Sequence, residues 1–247
     1  MEQIKHVTFS LPGFIYLVGQ SNQGKTYFVF NGIIPEALTK GYDIHWVVNK
    51  AFDVEKPLAK QALEYPNVFI HRAKNLDGET MRNLINIIRS NENKKLVIID
   101  NFTYGITPEF LDYTTFARKF NASTIFISHT LFANNKISPR LRELVSYFIF
   151  FYLPMSNSYR RILDDEMFET YQEQIESKSY KFLIVDLNNS HYSIGKLPEY
   201  TINIITKDQR QRGKLGEALR ELSLADYDTK GTRPKGTRPK GHKNKTI

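Results

Sequence analysis

The chain has 247 residues, 41% hydrophobic and 13% aromatic, and it contains no cysteine. That length accommodates one α/β domain with a sizeable core, and the absence of cysteine excludes thiol chemistry and cysteine-built zinc clusters. The net charge of +8 is uneven: seven Lys/Arg and no acid lie from Thr229 onward, which leaves 27 bases against 26 acids in a nearly neutral body.

Met1 to His6 does not open a secretory signal, so the chain is expected to stay inside a cell. No apolar run reaches the ~20 residues of a membrane-spanning helix. Val7-Thr8-Phe9 and Phe14 to Val18 read as strands around a turn at Pro12-Gly13. The second strand runs into Gly19-Gln20-Ser21-Asn22-Gln23-Gly24-Lys25-Thr26, and Tyr27 to Phe30 continues at helical spacing toward Ile33 and Ile34. Strand, glycine-bounded loop and helix start are the context in which G-x-x-x-x-G-K-[ST] is a phosphate-binding loop. Gly19 and Gly24 let the backbone curl, and the curled N–H groups and the helix dipole attract phosphate oxygens. Lys25 then reaches the β- and γ-phosphates, and Thr26 offers a hydroxyl to Mg²⁺. The expected nucleotide contacts are Gly19, Gln20, Ser21, Asn22, Gln23, Gly24, Lys25, Thr26 and Tyr27, with ATP and Mg²⁺ as cofactors.

Further along, Ile44 to Val48 is an apolar strand, Lys56 to Tyr65 a surface helix and Val68 to Ile70 a short strand. Met81, Leu84, Ile85, Ile87 and Ile88 put an apolar stripe on a helix over 79–90. Leu96 to Asp100 is a buried strand ending in an acid, followed by a helix from Pro108 to Phe120. Asp100 is placed to hold Mg²⁺, or alternatively to cap the next helix. Asn101 follows it and cannot serve as a base. Glu109 or Asp112 would have to substitute, unless both are solvated helix residues. Ser123 to Ser128 is the next strand, with His129 at its end as either a γ-phosphate sensor or a hydrogen-bonded structural histidine. A helix over 139–145 and an aromatic strand, Tyr147 to Tyr152, come next. Arg140 and Arg142 precede that strand and are candidates for an arginine finger or plain surface charge.

Asp164 to Glu176 reads as a helix. Tyr180 to Leu187 and His191 to Ile194 form a hairpin around Asn188-Asn189-Ser190, the last regular pair expected. Alternating strands and helices predict an α/β fold, a mostly parallel sheet flanked by helices, with this antiparallel hairpin at one edge. Residues 1–205 are expected to form the phosphate-binding domain, 206–228 a weak amphipathic helix and linker, and 229–247 a disordered basic tail. Gly231 to Lys235 repeats as Gly236 to Lys240 in that tail, without an apolar residue to bury.

Four blocks, in this order, resemble the genome-packaging ATPases of the FtsK–HerA superfamily of P-loop, RecA-like NTPases. They are Leu17 to Thr26; Leu96 to Asn101; Ser123 to Ala133 leading through Arg140 to Tyr152; and Tyr171 with Tyr180 to Leu187. The likeness is nearest to the viral branch of poxvirus-like viruses, virophages, Polinton-type elements and adintoviruses. It implies a motor that drives double-stranded DNA into a capsid. It also implies a homo-oligomeric ring of five or six subunits, a capsid or portal-vertex partner, and a finger such as Arg140 supplied in trans. The implied location is the nucleus or viral factory of an infected cell, or the virion. Two positions depart from the family pattern, Asn101 where an acid is usual and His129 where glutamine is usual. Two other readings stay open. One is a different DNA-dependent P-loop ATPase such as a helicase or loader, and the other is an ATP-switched DNA-binding protein with little turnover.

Overall fold

The computed structural model describes residues 6–49, 57–90, 92–100, 102, 107–131, 143–154, 159–160 and 162–206. Asn101, Arg140, Arg142, most of the helix expected over 139–145, the helix expected over 213–224 and the basic tail lie outside the described residues.

The strands are β1 (His6–Leu11), β2 (Phe14–Val18), β3 (Tyr42–Asn49), β4 (Val68–Ala73), β5 (Lys94–Asp100), β6 (Ala122–Ser128), β7 (Tyr147–Phe150), β8 (Lys181–Asp186), β9 (His191–Lys196) and β10 (Thr201–Thr206). The helices are α1 (Lys25–Phe28) and α2 (Ile34–Thr39), joined by a π-turn (Val29–Ile33), then α3 (Pro57–Leu63), α4 (Gly78–Arg89), α5 (Pro108–Lys119) and α6 (Asp165–Gln174). Eight strands form one sheet in the order β4-β3-β5-β6-β2-β7-β8-β9. The first six are parallel, β8 runs antiparallel to β7, and β9 antiparallel to β8. This is the α/β architecture with an edge hairpin that the strand–helix alternation predicts.

The central strands are apolar on both faces because both are covered. Phe14, Tyr16, Val97, Ile99, Phe126 and Phe148 pack under α4, α5 and α6. Ile15, Leu17, Trp46, Ile98, Ile125 and Ile149 pack against α1, α2 and a small second sheet. That second sheet was not anticipated. β1 leaves the main sheet and pairs in parallel with β10, a strand beyond the expected last hairpin, in the register Val7 to Ile202 and Phe9 to Ile204. The alternation Thr201-Ile202-Asn203-Ile204 buries both isoleucines, as one covered face requires.

The helical segment from Lys25 to Thr39 is not regular. Pro35 has no N–H to give and its ring crowds the carbonyl one turn back. The chain widens into the π-turn just before it. Gly32, within that turn, lets β10 approach: a Cβ there would stand 2.7 Å from Ile202 Cδ1 and 2.8 Å from the Tyr200 hydroxyl.

Candidate nucleotide-binding site

In open α/β sheets, ligands sit at the carboxyl ends of the strands. Here three adjacent strands deliver the polar residues. β2 ends at Val18 and runs into the loop 19–24, β5 ends in Asp100, and β6, between them, ends at Ser128 before His129.

The loop has the backbone of an anion cradle. Gly24 (φ 92°), Asn22 (φ 60°) and Gly19 (φ 155°) leave the region open to ordinary side chains. Packing also requires glycine at two of these positions. A Cβ on Gly19 would stand 2.6 Å from Phe151 Cβ, and one on Gly24 would stand 2.4 Å from Leu197 Cδ1. The loop is further tied down by Gln20 N–H donating to the Tyr152 carbonyl (2.8 Å) and by Gln23 Oε1 accepting from Lys178 N–H (3.1 Å).

Lys25 is only 4% exposed. Its ammonium donates to the carbonyls of Gly19 (2.6 Å) and Gln20 (2.7 Å), and lies 3.3 Å from His129 Nδ1. An ammonium can only donate, so Nδ1 accepts and the imidazole proton sits on Nε2. Ser21 Oγ lies 3.4 Å from the same nitrogen. Burial pushes the Lys25 ammonium down to about 8, and the negative charge of Asp100 works against that shift. His129 is held below the usual imidazole range by burial and then by the Lys25 charge, with a hydrogen bond to the Gly19 backbone opposing. Asp100 is 5% exposed, and Thr26 is half-buried on the first turn of α1.

The structure thus brings Ser21, Lys25 and His129 into contact, with Asp100 near enough to act on Lys25 electrostatically. Glu109 is exposed on the first turn of α5, with its Cγ 3.7 Å from where a Cβ on Gly78 would stand, at the start of α4. Tyr27 is exposed on α1 and its carbonyl accepts from Asn31. Sequence reasoning missed the segment Lys178–Tyr180 and Leu197, which brace the loop from the β7–β9 side.

Among the described residues no group of three or more His, Asp or Glu could hold a metal ion alone. A hard cation such as Mg²⁺ commonly takes one carboxylate, with phosphate oxygens and water completing its shell. Asp100 with the Thr26 hydroxyl fits that mode of binding.

A tyrosine cluster stiffens this end of the sheet. Tyr171 and Tyr159 hydroxyls both donate to the Phe151 carbonyl, at 3.1 and 3.4 Å, and Leu153 N–H donates to Tyr171 Oη. Tyr16 Oη donates to the Thr130 carbonyl, one residue past His129.

No protein-family model matches the sequence, and neither does any curated protein. Solved structures do match. The DNA-packaging ATPase B204 of Sulfolobus turreted icosahedral virus aligns over 74% of this chain and 97% of its own, with 16% identity and a TM-score of 0.61. The genome-packaging NTPase B204 of Sulfolobus turreted icosahedral virus 2, in complex with AMPPCP, aligns over the same shares with 20% identity and a TM-score of 0.58. ATPases 2 and 3 of EssC from Geobacillus thermodenitrificans align over 90% of this chain and 46% of theirs, with 13% identity and a TM-score of 0.53. At these identities the likeness establishes the fold, and the fold is the α/β one these structures share.

Proposed function

We propose that the chain is a P-loop ATPase that drives double-stranded DNA into a viral capsid. The observation that carries the ATPase reading is the buried Lys25, held at the mouth of an anion-cradling loop beside His129 and Asp100. The packaging reading rests on the four sequence blocks and on the fold shared with the B204 proteins.

In this reading the loop N–H groups and the start of α1 bind the phosphates. Lys25 exchanges two neutral carbonyls for phosphate oxygens, which are stronger, charged acceptors. His129 Nδ1 then loses its donor, and the ring is free to respond to the γ-phosphate end. Thr26 and Asp100 would hold Mg²⁺, which would supply charge neutralisation to the bound phosphates. Arg140 of a neighbouring subunit in a ring stabilises charge in the transition state, with Arg142 as the alternative. The basic segment 229–247 tracks DNA phosphates.

The test is steady-state phosphate release by the full chain, with Mg²⁺, with and without blunt duplex DNA. Release that rises with duplex supports the motor; ATP binding without release in either condition leaves a switch and overturns it. Deleting residues 229–247 is expected to reduce the salt slope of duplex affinity by about 0.9 per lost phosphate contact. An unchanged slope removes the tail as a DNA contact.

A further inference from the structure

Tyr180 is one of three exposed tyrosines among the described residues, with Tyr27 (41%) and Tyr65 (39%). Tyr16, Tyr42, Tyr113, Tyr147, Tyr159 and Tyr171 are all essentially buried, whereas Tyr180 is 45% exposed. Its backbone is at φ 53°, and Lys178, two residues earlier, is at φ 60°. For a bulky side chain the left-handed region is unfavourable, and such residues persist only where surrounding contacts hold them. Those contacts are present. The Tyr180 carbonyl accepts from Leu197 N–H (3.0 Å), and Lys178 N–H is fixed on Gln23 of the phosphate loop, itself 5% exposed. The backbone is therefore pinned while the ring is left in the open. The ring lies against the phosphate loop: Cδ1 is 3.6 Å from the position of a Cβ on Gly24, beside Leu197.

The sheet order gives this position a meaning. β6 flanks β2 on one side and brings His129 to Lys25, the residue that reaches the β- and γ-phosphates. β7, β8 and β9 flank β2 on the other side, and the start of β8 and the end of β9 meet at the loop, where Lys181 pairs with Lys196. A triphosphate with its γ-end at His129 extends its other end toward that second flank. The group attached there is a nucleoside, which offers a flat π-face to an exposed ring.

Resting on the nucleotide-site reading above, we propose that the Tyr180 ring, with Leu197 beside it, is the stacking platform for the nucleobase. The left-handed backbone at 178 and 180 aims the ring, and the Gln23–Lys178 bond keeps it in register with the phosphates. Base–aromatic stacking is tolerant of base identity because every base has a π-face. Removal of the ring weakens nucleoside triphosphate binding by about tenfold and leaves phosphate binding alone.

The experiment uses the full chain and three probes with Mg²⁺: ATP, the fluorescent 2-aminopurine riboside triphosphate, and inorganic tripolyphosphate. Tyr180→Asn removes the ring but keeps a residue that tolerates left-handed φ, so the turn is preserved. The expected result is about tenfold weaker ATP binding, loss of 2-aminopurine quenching and unchanged tripolyphosphate affinity, with Tyr180→Trp retaining ATP affinity and quenching. Unchanged ATP affinity in Tyr180→Asn overturns the proposal. So does an equal loss for tripolyphosphate, which would make the turn a brace for the loop and nothing more. Failure of the wild-type chain to bind tripolyphosphate overturns the phosphate-site reading and this proposal together. Tripolyphosphate binding with an indifferent Tyr180 overturns this proposal alone.

Discussion

The two flanks of the phosphate loop are built of opposite materials. On the β6 side, Lys25, Ser21 and His129 meet through polar contacts that a phosphate is able to replace, and Asp100 acts on Lys25 through its charge. On the β7–β9 side, Phe151, Leu197, Tyr152 and Lys178 hold the loop through packing and main-chain hydrogen bonds that no ligand replaces. One flank is exchangeable and the other is fixed. A loop that must change partners without losing its shape needs both, because close-packed contacts resist small displacements while charge-assisted bonds are readily traded.

The sharpest way to break this comparison is Lys25→Ala. If the β6 side does chemistry rather than support, turnover is expected to fall by at least about a hundredfold, because a lost charge at a phosphate is felt most in a desolvated site. Thermal stability is expected to hold or rise, since a lysine pushed down by burial is a desolvation cost to the fold. A large drop in Tm would show that the β6 side is structural after all. Asp100→Ala comes next. Mg²⁺ is expected to tighten ATP binding in the wild-type chain by roughly tenfold or more and to lose that effect in the variant. Equal tightening in both would reduce Asp100 to a helix cap.

The opposite flank calls for the opposite outcome. Gly19→Ala places a Cβ against Phe151 Cβ and its main chain, which has little freedom to yield. Overpacking of this kind costs about 2 kcal/mol, or some 4–8 °C in Tm for a domain of this size. Tm unchanged within a degree would refute the picture of a fixed flank.

The smallest effect serves as a control far from the loop. His45, on β3, is 8% exposed, its Nδ1 is 3.0 Å from His71 Nε2, and Phe69 stacks on it. Burial pushes its imidazole down to about 4, with the His71 charge adding, the Asp43 carboxylate opposing and the Lys95 ammonium adding again. His71 is lowered as well, by burial. Between pH 6.5 and about 4 the unfolded chain therefore binds more protons than the folded one. The stability held above pH 6.5 is lost as pH falls through that window. Stability measured by denaturant titration at several pH values is expected to show this slope, and His45→Gln to flatten it without changing ATP affinity. A slope identical in the variant assigns the acid sensitivity to other groups.

The readable and unreadable parts of this chain divide along local and non-local lines. The loop over 19–26 was legible as a glycine-bounded turn between strand and helix because its pattern is written into eight consecutive residues. Asp100 and His129 were legible as ends of apolar runs, and the parallel order then set them beside the loop. The pairing of β1 with β10 was not, since it joins segments nearly 200 residues apart, with Phe9 opposite Ile204. A six-residue alternation such as Thr201 to Thr206 carries little weight until its partner is known. Nor does anything local ask for left-handed backbone at Lys178 or Tyr180. Docking against Gln23 and Leu197 imposes it. Glu109 was legible only as the start of a helix after Asp100; the structure shows it exposed on the first turn of α5, next to Gly78.

The close approach at Gly32 has a mechanical consequence. The helical segment that begins at the phosphate loop is met there by the side chains of Ile202 on β10 and of Tyr200 just before it, and the Tyr200 hydroxyl also reaches the Phe28 carbonyl at 3.4 Å. β10 is the strand from which the chain continues toward the basic segment. A displacement of β10 is therefore met, within one contact, by the helical segment that starts at Lys25.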